Sequence, residues 1–393
     1  MAYNFDEEHH STYKNTAKWS MANEHFEEED IIPLWVAEMD FKLPPEIIDR
    51  VKARVDEGIF GYTMLTEEVK EVVALWISKR HQMQVNQESV CFSPGVMPAV
   101  QASIQAFTNP GDRVIIQTPV YGPFSKVVAN TSRELVTNPL QFKNGKYEMD
   151  FDDLVKKIEE TDAKMLLLCN PHNPVGRVWS LDELQRLGEI VDKYRLLVVS
   201  DEIHADLILR DHQHTVFSKV SDTMSKKSVL CFSPSKSFNM AGLNTSFTII
   251  EDEEMRATFQ KKLEENYQAM ANPISLEAAK SAYEIGEAWL EQCLNYIEGN
   301  IHYLREYLSK NIPELKLVNS QGTYLVWIDC RVLGLNQEEL FHFLLKKAKV
   351  AVNNGFEFGE EGAGFIRMNM ACRRATLEEA LQRIEKAIKE FRK

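Results

Sequence analysis

Short apolar runs in this sequence are followed directly by polar residues of types that can do chemistry. In chain order, these residues are Ser93-Pro-Gly95-Val96, Tyr121, Asn170-Pro-His-Asn173, Asp201-Glu-Ile-His204 and Ser233-Pro-Ser-Lys236. In open α/β sheets, ligands bind outside the carboxyl ends of the strands. We therefore expect these side chains to line one ligand site.

Together, these residue types can perform five chemical tasks. A small-residue loop at a helix start can hold a phosphate, an aromatic side chain can cover a ring, and an amide can bind a phenolic oxygen. A carboxylate can pair with a ring nitrogen, and a lysine can form an imine. Pyridoxal phosphate needs all five. Taken singly, Asp201 could be a helix cap, Asn173 a turn residue and Lys236 a solvated side chain. The combination of these residues favours a cofactor site, because residues with unrelated structural roles should not form a chemically complementary set at successive strand ends.

The elements that must position these residues are visible as near-continuous apolar segments. Strands are predicted over residues 113–118, 164–170, 196–202, 228–233 and 246–251. Such strands are buried on both faces, which predicts a mostly parallel sheet with helices on both sides. Between two of them, Ser180 and Glu183 form a predicted capping box that opens a helix ending near Tyr194.

The chain is long enough for two or three domains or for one large α/β unit. Residues 46–289 hold the predicted strands and form the expected large cofactor-binding domain. Residues 290–393 combine helical patterns with two or three strands, which predicts a small α+β domain. Residues 1–45 contain three prolines and little periodicity, and we expect this segment to join the small domain.

Composition narrows the class of protein. The chain has 393 residues, with 45 Lys plus Arg against 59 Asp plus Glu and a formal charge of −14, which argues against nucleic-acid and anionic-membrane binding. No apolar stretch approaches the ~18 residues of a membrane span, and residues 1–11 lack the order of a signal peptide. The six cysteines are far apart with no C-x-x-C, so we expect a reduced cytoplasmic protein without a metal site.

Longer motifs carry a resemblance to a known family. They are LWVAEMDF (34–41), FGYT (60–63), SPGV (93–96), PVYGPF (119–124), NPHNPVGRVW (170–179), SDEIHADL (200–207), SPSKSFNMAGL (233–243) and FIRMNMA (365–371). Through them the chain resembles the MalY/PatB-type cystathionine β-lyases, or C–S lyases. These belong to the fold-type I pyridoxal-phosphate enzymes of the aminotransferase superfamily. The resemblance runs nearly end to end and implies pyridoxal 5′-phosphate as cofactor.

The resemblance implies a role for each residue around the cofactor ring. Lys236 would form the imine bond to the cofactor and then act as the base at the substrate Cα, for which its amine must be partly neutral. Asp201 would pair with the pyridine nitrogen, and Asn173 would donate to the phenolic oxygen. Tyr121 would stack on the ring.

Other residues are implied at the cofactor phosphate. Gly95 and Val96 would offer backbone N–H groups at a helix N-terminus, and Ser233 would add a hydroxyl. Tyr62 would reach the phosphate from the second subunit. The resemblance thus implies a homodimer with shared active sites.

At the substrate, Arg367 would bind the α-carboxylate as a bidentate fork, with Ala37 beside it. His204 is implied near the cofactor, where many aminotransferases have Tyr, and its role is open between hydrogen bonding, packing and proton transfer. Asn244 stands where many aminotransferases have a phosphate-binding Arg. Glu38 stands where many relatives have Asp, and its role is also open.

The predicted activity is a β-elimination from a sulfur amino acid, with cystathionine, cystine and cysteine as candidate substrates and a thiol, pyruvate and ammonia as products. The alternative is an aminotransferase, since both reactions need Lys236, Asp201 and Arg367, and only Asn244, His204 and the motif set favour the lyase. A cofactor-bound regulatory protein is a third possibility. A nucleotide-binding dehydrogenase is disfavoured, because no G-x-G-x-x-G follows a strand.

Overall fold

The computed structural model describes residues 2–9 and 15–393 of the chain. Residues 1 and 10–14, which fall within the predicted N-terminal segment, lie outside the described residues. The strands are β1 (Ile32–Pro33), β2 (Val90–Ser93), β3 (Arg113–Ile116), β4 (Glu134–Thr137), β5 (Gln141–Lys143), β6 (Lys146–Glu148), β7 (Met165–Cys169), β8 (Leu197–Asp201), β9 (Ser228–Phe232), β10 (Ser246–Ile249), β11 (Lys316–Leu317), β12 (Leu325–Asp329), β13 (Val350–Ala351), β14 (Asn353–Asn354) and β15 (Phe365–Asn369).

The helices surround two main sheets. They are α1 (Ala22–Phe26), α2 (Pro45–Asp56), α3 (Glu67–His81), α4 (Val96–Phe107), α5 (Pro123–Asn130), α6 (Phe151–Thr161), α7 (Leu181–Tyr194), α8 (Asp222–Lys226), α9 (Pro234–Ser237), α10 (Glu253–Glu265), α11 (Pro273–Ile285), α12 (Glu287–Asn311), α13 (Gln337–His342) and α14 (Arg374–Phe391). Short 3₁₀ turns and one π-helical turn complete the described elements.

The large sheet has the strand order β2-β10-β9-β8-β7-β3-β4. Only β10 runs antiparallel to its neighbours, so the carboxyl ends of β2, β3, β7, β8 and β9 share one edge. The loop that leads into β10 starts from the same edge. The predicted mostly parallel sheet is therefore confirmed, and the strand ends meet as the sequence predicted.

Both faces of the large sheet are buried. Successive residues of β7 alternate between two apolar clusters, with Leu166 and Leu168 in one and Leu167 in the other. Helices α4, α5 and α10 cover one face, and α3, α7 and α11 cover the other. This double burial explains why central strands such as β7 and β9 are apolar at nearly every position rather than at alternate ones.

The small sheet has the order β11-β12-β15-β14 and is antiparallel throughout. It packs with α12 and α14. The N-terminal strand β1 pairs in parallel with β13, through Ile32 opposite Val350. This pairing brings the residues after β1 between the two main sheets.

Local signals in the sequence set several helix boundaries. Ser180 caps α7, and its side chain and that of Glu183 form the predicted capping box. Helices α11 and α12 follow each other directly and are separated at Gly286. A Cβ there would lie 2.4 Å from a Phe238 ring carbon, so close packing fixes a glycine at the break. Within the described residues, no helix combines the length and apolar character needed to cross a membrane.

Candidate active site

A cavity of about 280 Å³ lies at the shared edge of the large sheet. The predicted site residues that line it are Ala37, Gly95, Val96, Tyr121, Asn173, Asp201, His204 and Lys236. They come from the ends of five strands and from the segment after β1. The fold thus brings together predicted site residues that are up to 199 positions apart in the sequence, as Ala37 and Lys236 are.

Lys236 lies on α9, the short helix that follows β9. Its Nζ donates a hydrogen bond of 2.8 Å to the carbonyl oxygen of Ala37. Burial lowers the pKa of the Lys236 amine to about 8, with the positive charge of Arg367 acting in the same direction. Glu38 and Asp201 act in the opposite direction. A lysine with such a pKa is partly neutral near physiological pH, so it can act as a nucleophile or as a base.

Asp201 ends β8 and is buried at the edge of the cavity. One of its carboxylate oxygens accepts a hydrogen bond of 3.0 Å from the backbone N–H of Ile203. Burial raises the pKa of Asp201 to about 7, against the opposing effect of Lys236. A cationic group placed in the cavity beside this carboxylate would restore its negative charge.

The N-terminus of α4 faces the cavity through Gly95, Val96 and Met97. Gly95 occupies the N-cap position with a φ of 117°, which only glycine adopts readily, and no side chain caps this helix. Backbone N–H groups in an uncapped first turn have no partner within the helix. This end of α4 can therefore bind an anion such as a phosphate.

Arg367, on β15 of the small sheet, does not line the cavity itself but lies beside it, behind Asn173, and is 5% exposed. Its guanidinium donates to Asn173 Oδ1 at 3.2 Å, to the carbonyl of Trp35 at 2.9 Å and to Asn353 Oδ1 at 2.5 Å. It also lies over the Phe358 ring, at 4.8 Å from the centroid. Its Nε is buried without a partner among the described residues. The guanidinium of Arg367 is thus held in place, and its Nε–H is still available as a donor. Burial lowers the pKa of Arg367 to about 10.

Tyr121 and Asn173 are two further polar residues that line the cavity. Burial and the nearby Asp201 raise the pKa of the Tyr121 hydroxyl, so this side chain stays neutral. The amide oxygen of Asn173 accepts from Arg367, which makes its amide nitrogen the donor that it can offer to the cavity. Both residues lie where the strand-end argument predicted.

His204 is a neutral ring in this environment. Burial lowers its pKa to about 3, and the cations Lys236 and Arg367 act in the same direction. Its Nδ1 is buried and has no hydrogen-bond partner within the described part of the chain. A group with such a low pKa is a poor proton acceptor at neutral pH, which favours hydrogen bonding or packing over proton transfer.

Two predicted cofactor residues do not line the cavity. The hydroxyl of Ser233 donates to the carbonyl of Thr245 at 2.6 Å and accepts from the backbone N–H of Ser235, so it caps α9. Tyr62 is 94% exposed in the loop between α2 and α3. Its predicted role at the phosphate therefore depends on a second subunit, and the roles of both residues stay predictions.

Sequence reasoning missed several residues of the site. Ser235 and Thr245 line the cavity, next to Asn244, which the sequence comparison with aminotransferases had already singled out. The hydroxyl of Tyr324 donates to the carbonyl of Ala37 at 2.9 Å, and Asn353 holds Arg367. Thr245 could have been found, because it directly precedes β10, the reversed strand of the large sheet. Asn353 could not, because β14 has only two residues and no pattern.

The cavity residues fit the group that the family resemblance implies. An uncapped helix N-terminus suits the phosphate of pyridoxal 5′-phosphate, a buried carboxylate suits its ring nitrogen, and a partly neutral lysine suits an imine bond. The described residues contain no group of three or more His, Cys, Asp or Glu side chains arranged to hold a metal ion.

Comparisons with known proteins extend over almost the whole chain. The family model described as aminotransferase class I and II matches residues 29–384. Cystathionine beta-lyase PatB of Bacillus subtilis is 42% identical over 385 residues, which is 98% of this chain and 100% of PatB. Protein MalY of Escherichia coli is 31% identical and covers 95% of this chain and 96% of its own length.

A solved structure shows the same architecture. Cystalysin from Treponema denticola, whose crystal structure contains a pyridoxal 5′-phosphate cofactor, superposes with a TM-score of 0.96. It is 37% identical, and the match covers 99% of this chain and all of cystalysin.

Proposed function

This chain belongs to the aminotransferase class I and II family, as its motifs predicted, and we propose that it is a pyridoxal-phosphate-dependent carbon–sulfur β-lyase. The observation that carries the proposal is one cavity that is lined by both Asp201 and Lys236. Arg367 lies beside this cavity, where its charge lowers the pKa of the Lys236 amine. The full-length similarity to cystathionine beta-lyase PatB supports the lyase over the other activities of the family.

The bound cofactor supplies an electron sink that stabilises negative charge at the substrate Cα. Asp201 favours this chemistry, because its carboxylate stabilises a protonated ring nitrogen in a buried site. The N-terminus of α4 would hold the phosphate, and Tyr121 would cover the ring. Asn173 would donate to the phenolic oxygen.

Arg367 binds the substrate α-carboxylate and so orients the amino acid. Asn173, Asn353 and the Trp35 carbonyl hold the guanidinium in one position, which preserves the geometry of the fork. Ala37 lies beside the amine of Lys236. Binding at Arg367 therefore brings the substrate Cα towards the amine of Lys236.

Lys236 removes the proton from Cα, which its lowered pKa permits near neutral pH. In the overall reaction the Cα–H and Cβ–S bonds break and a Cα–Cβ double bond forms, with the electron pair leaving on the thiolate. The enamine product then hydrolyses to pyruvate and ammonia. Cystathionine is the proposed substrate, with cystine and cysteine as further candidates.

We also propose a homodimer in a reducing, cytoplasmic compartment. The loop around Tyr62 exposes several large apolar side chains, which is typical of an interaction surface. All six cysteines are buried and free of disulfides, which is typical of proteins in reducing compartments.

Product analysis tests the proposal. Purified protein loaded with pyridoxal phosphate is given cystathionine, or cystine, or an ordinary amino acid with 2-oxoglutarate. We expect pyruvate and ammonia from a sulfur amino acid without any keto-acid acceptor. Lys236→Ala, assayed in parallel, should lose nearly all of this activity, because Lys236 supplies both the cofactor bond and the base. Strict dependence on 2-oxoglutarate would instead identify an aminotransferase.

A further inference from the structure

Residues 35–39, named here the carbonyl segment, have no regular secondary structure and lie against the active site. Their backbone carbonyl groups accept hydrogen bonds from the site's own side chains. Trp35 accepts from Arg367 at 2.9 Å, and Ala37 accepts from Lys236 at 2.8 Å. The segment therefore touches both the proposed base and the proposed carboxylate receptor.

Neighbouring side chains hold the rest of the carbonyl segment. Asn369 on β15 donates to the carbonyl groups of Val36 and Glu38, at 2.7 and 2.6 Å. Asn239 bonds both the N–H and the carbonyl of Met39, each at 2.8 Å. Because no ladder of backbone bonds fixes these residues, such contacts determine where the carbonyl groups point.

One contact behind the segment is a buried ion pair. Lys18 has no exposed surface, and its Nζ lies 2.9 Å from a carboxylate oxygen of Asp40, which is 4% exposed. The same Nζ donates to the carbonyl of Glu38 at 3.2 Å, and the indole N–H of Trp19 donates to Asp40 at 2.7 Å. Lys18 thus binds the carbonyl segment itself as well as the carboxylate that follows it.

We propose that the Lys18–Asp40 ion pair is a positioning device for catalysis, which fixes the carbonyl segment so that Ala37 orients the amine of Lys236 and Trp35 orients Arg367. This inference rests on the proposed function. A buried ion pair is weak evidence for stability, since well-packed apolar residues often serve as well. A buried ion pair does fix the positions of the groups around it, because each of its charges is costly to bury without its partner.

The proposal predicts two separate effects in one variant. The double variant Lys18→Met/Asp40→Asn removes both charges and leaves neither one buried alone. Looser contact between Trp35 and Arg367 should raise the KM of the amino-acid substrate at least tenfold. It should raise the dissociation constant of L-alanine similarly. L-alanine lacks a leaving group at Cβ, and its binding is measured by the absorbance of the bound cofactor.

The second effect concerns the pH profile of kcat. An accepting carbonyl stabilises the ammonium form of Lys236, so weakening this bond should lower the pKa of the amine. The base must be neutral, and the rise of kcat with pH should therefore move to lower pH. The other charged groups near Lys236 are Arg367, Glu38 and Asp201, and none of them is substituted. Lys18 lowers and Asp40 raises the pKa of Glu38, so the double variant removes two opposing effects on that carboxylate.

Two further variants make the test specific. Lys349→Met removes a half-buried ion pair with Glu28, which also joins the N-terminal region to later residues but lies outside the active site. It should leave KM, the L-alanine affinity and the pH profile at wild-type values. Trp19→Phe removes the indole N–H that donates to Asp40 and leaves both charges of the ion pair in place, so it should show the same two changes with smaller magnitude. If the double variant does not fold, Trp19→Phe tests the positioning role in its place.

Unchanged KM, L-alanine affinity and pH profile in the variants that fold would show that the ion pair is only structural, and would overturn the proposal. The L-alanine titration needs no elimination step. If wild-type protein released no pyruvate from any sulfur amino acid, the proposed function would fail, while the titration would still decide the positioning role.

Discussion

Burial shifts the pKa of both key groups in the cavity, and the shifts have opposite signs. Lys236 loses part of its positive charge near neutral pH, and Asp201 tends to bind a proton. Each shift disfavours the ionised form in the protein without cofactor. This is the pattern expected of a site that is built for a ligand rather than for its own stability.

Asp201→Asn should therefore stabilise the protein without cofactor. The pKa of Asp201 is about 7 in the folded chain, against about 3.8 when unfolded. The folded state binds the extra proton, so its stability falls as pH rises from about 4 to 7, and the full cost remains above 7. At pH 8 we expect the free energy of unfolding to be larger for the variant by on the order of a few kcal/mol, and its melting temperature to be higher accordingly. At pH 5 the gain should be smaller.

With cofactor bound, the order should reverse, because the wild-type carboxylate gains the ring nitrogen as a partner. Melting curves with and without cofactor at both pH values measure this. Equal cofactor-induced stabilisation of the two proteins would contradict the proposed role of Asp201. Removal of the Cα proton should also be slower in the variant.

Arg367→Lys should affect substrate binding and spare the cofactor. A lysine supplies one point charge in place of a planar fork, so KM for the amino acid should rise at least tenfold, or about 1.4 kcal/mol. The absorbance of the bound cofactor should stay unchanged. Arg331→Lys is the matched control, since Arg331 pairs with Asp329 in the small-sheet region but lies at the surface. Loss of cofactor absorbance in Arg367→Lys would instead place Arg367 at the phosphate or in a structural role.

At the scale of elements, α4 contributes its N-terminus rather than a side chain. Gly95 combines a positive φ with the N-cap position, so the backbone can turn directly from β2 into the helix. The neighbouring Ser93 hydroxyl bonds Ser246 at 2.6 Å, which joins the start of the loop to β10. The anion site is therefore a property of the strand–turn–helix unit.

Gly95→Ala should weaken cofactor binding through this unit. A Cβ at Gly95 would meet Pro98 at an ordinary 3.5 Å, so the expected effect comes from the φ of 117° and not from a clash. Gly111→Ala is a matched control, because Gly111 also has a positive φ, of 87°, with open space around it. Both variants should lose about 1 kcal/mol or more of stability, but only Gly95→Ala should raise the dissociation constant of pyridoxal phosphate in a titration. Equal affinities for the two variants would contradict an anion site at α4.

How much of this arrangement follows from the sequence depends on the element. Five strands of the seven-stranded large sheet were predicted within about two residues, because burial on both faces makes them largely apolar. The strands β2 and β4 were not predicted. The convergence of Asp201, Asn173 and Lys236 followed from strand direction alone. Arg367 and Tyr62 were placed by family resemblance. The carbonyl segment was marked only by the family motif LWVAEMDF, and Asn353 had no signal, since their roles arise from the packing of the two sheets.

At the scale of the whole molecule, one face of the chain exposes a continuous set of large apolar side chains. The loop between α2 and α3 exposes Ile59, Phe60, Tyr62 and Met64, by 57 to 94%. Thr63 of this loop bridges to Ala271, and Tyr267 and Met270 nearby are 97% and 55% exposed. Single exposed apolar residues are common on protein surfaces, but a cluster of this size is typical of an interaction surface. The cluster fits an interface with a second copy of the chain.

The last prediction tests whether this interface completes the active site. Lys236→Ala and Tyr62→Phe subunits are each expected to be inactive or badly impaired as homodimers. In a mixed dimer, a shared-site arrangement places both lesions in one site and leaves the other intact. Equal mixing and free exchange make half of the dimers mixed, so activity should return to about a quarter of the wild-type value. An exchange assay with tagged subunits is the control. If subunits exchange and no activity returns, Tyr62 serves its own chain, and its exposure in the single chain must have another explanation.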